Sequence, residues 1–132
     1  MVRDDQLLWA SVPGYEGFYE VSNQGDVRSL TRSVDYGRHD RVTYQGRELK
    51  QFVSGRYLSV KLAKAGVIKT MYVHELVLRA FEGARPQLSE RCEIRHLDGD
   101  KFNNSVSNLK YGTVKENFAD RKLHSLGRVA TK

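Results

Sequence analysis

The segment from Cys92 to Asn117 constrains this chain most, because its punctuation leaves few ways to fold. Ile94, flanked by polar residues, reads as a short strand that delivers His96 to its end. A loop rich in Asp, Asn and Gly follows, and Leu109-Lys110-Tyr111 reads as a second short strand. After Gly112, the sequence Thr113-Val114-Lys115-Glu116 is a capping box. In such a box the Thr113 hydroxyl accepts from the Glu116 amide, and the Glu116 carboxylate reaches back to the Thr113 amide. A helix therefore starts at Thr113 and carries Asn117 in its first turns. The order strand, loop, strand, helix makes a ββα unit.

The single cysteine in 132 residues, Cys92, excludes an internal disulfide and any zinc site built on cysteine pairs. It reads as a small hydrophobe on a strand. The length allows one compact domain or two very small ones. No apolar run approaches the ~20 residues that span a bilayer, and Met1-Val2-Arg3-Asp4-Asp5 lacks the apolar stretch of a secretory signal. The expectation is an intracellular, cytoplasmic protein.

Upstream, Tyr19–Ser22 and Asp26–Leu30 read as a hairpin around Asn23-Gln24-Gly25. Trp9 and its neighbouring tyrosines read as the core of a small N-terminal unit. Residues 33–46 are polar, contain Gly37 and Gly46, and read as a mobile loop. A second hairpin is expected from Tyr57-Leu58-Ser59-Val60-Lys61-Leu62, turning at Ala65-Gly66 into residues 67–73. Val73, Leu76, Val77, Ala80 and Phe81 then recur with helical spacing, ending near Gly83 with Pro86 beyond. His74 at that helix start reads first as a histidine beside the core, with a supporting or phosphate-binding role at the site as the alternative, and the tail 128–132 reads as frayed.

The positive charge is concentrated in the middle. Residues 28–79 hold 11 basic residues against four acidic ones, while residues 1–27 hold one against five. Phosphate backbones suit such a patch because each contact releases condensed counterions. A solvated basic face accounts for the charge alone equally well, but Tyr36, Tyr44, Tyr57 and Tyr72 interleave with it, which leans towards nucleic acid. The candidate DNA-binding residues are Arg28, Arg32, Arg38, Arg41, Arg47, Lys50, Arg56, Lys61 and Lys69, with Arg121 in the last helix.

With His96, Asn108 (12 residues on) and Asn117 (21 residues on) in this order, the segment resembles the HNH endonuclease family, in particular the phage and intron-encoded homing type. The run Val73–Phe81 resembles the helix that precedes the finger in those nucleases. Residues Trp9 to Leu30 resemble the small modular DNA-binding motif that accompanies them. The resemblance implies an α+β fold: a β-rich basic module over 1–72, then an HNH ββα-metal domain over 73–127. It implies a metal-dependent endonuclease acting on double-stranded DNA, located in the host cytoplasm if phage-encoded. His96 would be the general base, Asn108 the residue tying the loop to the finger, and Asn117 a metal ligand. Histidine near its ordinary pKa of ~6.5 can take the proton of water. Oxygen ligands suit Mg²⁺ or Mn²⁺ better than zinc.

One position departs from the family. Many homing members carry a metal-ligating Asp just before the histidine, and here that residue is Arg95, which cannot ligate a cation. Three explanations stay open. Asp98, Asp100 or Asp120 supplies the ligand; or Arg95 contacts the scissile phosphate while Asn117 and His124 hold the ion; or the finger is degenerate and the chain only binds DNA. Asn117, Asp120, Arg121 and His124 share one helix face. Asp98-Gly99-Asp100 also reads as an Asx-type turn, and Asn108 as a loop staple more than a ligand. The candidate catalytic set is His96, Asn108, Asn117 and Arg95, and the candidate metal set Asn117, His124, Asp120 and Asp98. RNA is a weaker alternative partner, and a monomer that nicks is the expectation for one small finger.

Overall fold

The computed structural model describes residues 6–86, 92–120 and 123. Arg121, His124 and the tail 128–132 lie outside the described residues.

The chain begins with three short antiparallel strands, β1 (Trp9–Ser11), β2 (Tyr19–Ser22) and β3 (Val27–Ser29), in the order β1-β2-β3. Val21 faces Val27 across the hairpin, and both are fully buried. Gly25 closes the turn at φ +92°, a conformation that side chains disfavour.

Residues 33–46 are not a loop. They hold a two-stranded ribbon, β4 (Arg32–Asp35) with β5 (Arg41–Tyr44). Val34 pairs with Val42 and Ser33 with Thr43, whose hydroxyls lie 2.9 Å apart. Gly37 and Arg38 take positive φ at the turn. Alternating hydrophobicity reveals a strand only where one face is buried, and this ribbon is exposed along most of both strands.

The next sheet has the order β6 (Phe52–Ser54), β7 (Tyr57–Lys64), β8 (Val67–Tyr72). Ala65 and Gly66, both at positive φ, form the type I′ turn whose twist suits a two-residue hairpin. Helix α1 (Val73–Phe81) starts directly from β8. It ends where the Glu82 amide donates to the Leu78 carbonyl at 2.7 Å and Gly83 follows at φ +91°. The last unit pairs β9 (Cys92–His96) antiparallel with β10 (Leu109–Thr113), followed by helix α2 over 114–120. The capping box is formed as expected: Thr113 N donates to Glu116 Oε1 at 3.0 Å, and Glu116 N to Thr113 Oγ1 at 3.1 Å.

One hydrophobic cluster joins the first sheet, β7, α1 and β10. Val12, Val21 and Val27 meet Val60 and Leu62 of β7, Val73, Leu76, Val77 and Leu78 of α1, and Leu109 of β10. The boundary expected at residues 72/73 falls at the start of α1, yet the core crosses it. Among the described residues no helix is long and apolar enough to cross a membrane.

Ala65 stands at φ 51°, where a Cβ is crowded. Ala65→Asn, a residue that tolerates this region, is expected to raise stability by a few tenths to about 1 kcal/mol, read as a higher Tm; an unchanged or lower Tm would count against strain at this turn.

Candidate active site

Strand β9 carries His96 at its last position, opposite Leu109. The imidazole is almost buried, at 9% exposure. Tyr57 of β7 stacks on it with ring centroids 5.8 Å apart and planes 12° apart, and His74 of α1 meets it edge-on at 5.3 Å. Tyr72 stacks in turn on His74 at 5.2 Å. The Nε2 of His96 lies 3.0 Å from Oδ1 of Asn104. Burial lowers the His96 pKa, opposed by the Asn104 hydrogen bond and the charges of Asp98 and Asp100. His74 is pushed down to about 3 by burial, with repulsion from His96 and Arg85 adding to it. Both rings are neutral at physiological pH, as a base must be before it accepts a proton.

The loop beneath His96 is wound around Asn108. Its Oδ1 accepts from the Asp98 amide at 2.9 Å, and its Nδ2 donates to Asp98 Oδ1 and the Asn103 carbonyl, both at 2.9 Å. Asp98 also accepts from the Asp100 amide at 2.8 Å and from Asn103 Nδ2 at 2.8 Å, an Asx turn. Burial works against the Asp98 charge, but these hydrogen bonds outweigh it and hold its carboxyl below the usual range. Asp98 is thereby occupied within the loop, and Asp100 caps the Phe102 amide at 2.9 Å.

The other face of β9 meets α2. Arg95 reaches Asp120 through Nε at 2.6 Å and Nη2 at 3.0 Å, and Glu116 through Nη1 at 3.4 Å. A Cβ on Gly112 would overlap the Arg95 side chain, so the glycine lets that stem cross β10. The Asp120 pair holds the Arg95 pKa above its ordinary value despite some burial. Asp120 is thus taken by a guanidinium. Asn117 donates through Nδ2 to Glu93 Oε1 at 2.8 Å. Glu93 was not singled out from sequence; its signal is strand alternation, which puts residues 93 and 95 on one face. The structure thus adds Glu93 and Asn104 to the candidate residues and brings Tyr57, named from sequence only for the basic patch, onto His96.

The basic candidates divide. Arg28 is engaged, with Nη2 2.7 Å from Glu20 Oε1 and its guanidinium 3.9 Å over Trp9. Arg32 lies over Phe18 and Tyr44 at 4.8 and 5.8 Å. Arg38, Arg41, Arg47, Lys50, Arg56, Lys61 and Lys69 are exposed. A cleft of about 590 Å³ is lined by Phe18, Arg32, Tyr44, Arg47 and Lys61, joining rings to cations on the module rather than at His96. A shallower groove of about 450 Å³ runs between Arg56 and the finger loop at Lys101 and Phe102.

Residues 8–63 match the NUMOD4 motif and residues 71–119 match the family described as HNH endonuclease, so the two matches take in the module, α1 and the finger. The segment 71–119 belongs to the HNH endonuclease family. Among similar proteins, the DNA endonuclease I-HmuI of Bacillus phage SP01 is 37% identical over 113 residues, 84% of this chain and 55% of that protein. An uncharacterized HNH endonuclease of Acanthamoeba polyphaga mimivirus is 31% identical over 99 residues, 75% of this chain and 25% of that protein. A solved structure described as DNA binding and cleavage by the HNH homing endonuclease I-HmuI superposes with a TM-score of 0.66 at 32% identity. The match covers 89% of this chain and 59% of that one. The chain thus spans about half the length of I-HmuI. The α+β finger behind a β-rich module is the fold the sequence led us to expect.

Between the ordinary histidine pKa of 6.5 and about 3, the unfolded chain binds a proton at His74 that the folded chain refuses. Stability is therefore complete above pH 6.5 and falls as the pH drops towards 3. The unfolding midpoint should decline on acidification from about pH 7 to about pH 4, and less steeply in His74→Met; an equal decline in both proteins would sink this assignment.

Proposed function

We propose that this chain is a DNA endonuclease of HNH type that hydrolyses a phosphodiester in duplex DNA, with His96 as general base. The observation that carries the reading is His96 itself, held neutral at the end of β9 above a loop clamped by Asn108. A buried, oriented, neutral imidazole can take the proton of an attacking water, and the leaving 3′ oxygen departs with the cut strand. Asn108 keeps the loop closed and does not itself react. The exposed cations of the ribbon, the β6–β7 turn and the 590 Å³ cleft hold flanking duplex through its phosphates, giving affinity rather than sequence choice.

HNH nucleases generally use a divalent metal. Among the described residues no group of three His, Cys, Asp or Glu side chains gathers to hold an ion. Mg²⁺ and Mn²⁺ need no such cage: Mg²⁺ keeps waters and substrate phosphate oxygens around one or two protein oxygens. The Glu93 carboxylate is a hard-oxygen ligand that fits this demand, and the adjoining Asn117 amide, whose Nδ2 donates to it, would add its own oxygen once turned over. Bound there, the ion would act as a Lewis acid on the phosphate and the leaving oxygen. Arg95, turned to Asp120 and Glu116, braces α2 against β9.

Supercoiled plasmid with Mg²⁺, Mn²⁺ or EDTA tests the reading. Relaxation is expected with metal only, and His96→Ala should lose at least about 100-fold in rate, the low end for a general base, while binding DNA as before. A cutting His96→Ala variant removes the base. Tight binding without cutting in any metal leaves a DNA-binding module with a degenerate finger, the reading Arg95 favours. Arg56→Ala with Lys61→Ala should weaken binding to unrelated duplexes alike and flatten the salt slope by about two units; an unchanged slope would mean that these cations are only a solvated face.

A further inference from the structure

We propose that Asn104 is the positioning residue for His96: its side-chain oxygen keeps the imidazole proton on Nε2, and the turn Asn23–Gly25 of the N-terminal module locks Asn104 in place. This rests on the reading of His96 as the base.

Asn104 is 4% exposed and its Oδ1 lies 3.0 Å from His96 Nε2. An amide oxygen only accepts, so the contact is made by the tautomer that carries its proton on Nε2. A neutral imidazole in that state has its lone pair on Nδ1, the nitrogen left to receive a proton. The rest of the Asn104 amide argues that this contact is what the residue serves. Its Nδ2 is buried without a hydrogen-bond partner among the described residues. Asn108, in the same loop, spends its amide on three bonds that close the backbone. A buried donor left unpaired costs about 1–3 kcal/mol, so an amide that merely stabilised the loop would be better replaced by an apolar residue.

The clamp on Asn104 comes from outside the finger. Gly25 is buried at φ +92°, and a Cβ on it would stand 3.0 Å from the Asn104 Cβ and 3.2 Å from its carbonyl oxygen. Val106 N donates to the Asn23 carbonyl at 2.9 Å, and Ser105 Oγ to Gln24 Oε1 at 3.4 Å. Asn23 is in turn held by Leu8 N at 2.9 Å and Gln6 O at 2.7 Å, and the Gly25 carbonyl accepts from Gln51 at 2.7 Å. The hairpin turn of the DNA-binding module is therefore the floor on which the base's partner rests.

The test uses the full chain and its Asn104→Leu, Asn104→Asp and Gly25→Ala variants. The ring ¹⁵N shifts of His96, assigned by difference against His96→Ala, report the tautomer directly. Wild type should show the proton on Nε2, and Asn104→Leu a mixture of both tautomers. The single-turnover nicking rate of Asn104→Leu should fall about 10²–10⁴-fold, the range between losing a general base and the cost of a wrong tautomer, with DNA Kd unchanged. Asn104→Asp, which keeps the acceptor, should restore at least about tenfold of that loss, and Gly25→Ala should move tautomer and rate in the direction of Asn104→Leu. A proton on Nδ1 in the wild type overturns the proposal, as does a folded Asn104→Leu that nicks at the wild-type rate. Should Asn104→Leu fail to fold, the wild-type shifts and the Asn104→Asp rate still decide. Cleavage by His96→Ala would instead sink the base assignment, with the Nε2 proton still read independently from the ring shifts.

Discussion

Everything in this small protein depends on where α1 buries its apolar face. Val73, Leu76, Val77 and Leu78 are at most 2% exposed, and each contacts a cluster supplied by the first sheet, by β7 and by β10. Burying such side chains contributes roughly 1.5–3 kcal/mol apiece, and the apolar residues that cover them come from three sheets together. The helix therefore acts as a shared wall. Because it follows β8 without a connecting loop, its second residue, His74, is forced against Tyr57, Tyr72 and His96. The rings that enclose the candidate base are a consequence of that packing.

The face of β9 turned to α2 shows how one change of charge is absorbed. Arginine before His96 would leave an uncompensated cation among half-buried groups, which is costly. Asp120 meets it with two hydrogen bonds, Glu116 adds a longer one, and Gly112 leaves the room for the side chain to cross. Two residues before Arg95 on the same strand face, the Glu93 carboxylate accepts from the Asn117 amide nitrogen. Arg95 and Asp120 are thus engaged with each other across the β9–α2 contact.

Much of the fold was legible because its signals are local. The capping box at Thr113, the stripe from Val73 to Phe81 and the Ala65-Gly66 turn each state a conformation within a few residues. Asn108 was readable as a staple because Asn amides close loops by hydrogen bonds to nearby backbone. The ribbon of β4 and β5 was not legible: apart from Val34 opposite Val42 its pairs are polar, most of it is exposed, and cross-strand hydroxyl contacts that no burial pattern announces hold it.

By itself the sequence determined the order of elements, the placing of His96 at a strand end, the formation of α2 by its cap, and the family to which the finger belongs. These follow from short-range geometry and residue chemistry, and any chain with those residues would express them. Only the tertiary structure decided that Asn104 rather than a backbone group meets His96, that Glu93 rather than Asp120 stands beside Asn117, and that the turn at Gly25 lies against the finger loop. Those pairings join residues 8, 24 and 79 positions apart. They exist because one core pulls both halves of the chain onto α1, and no local pattern encodes a contact made at that distance.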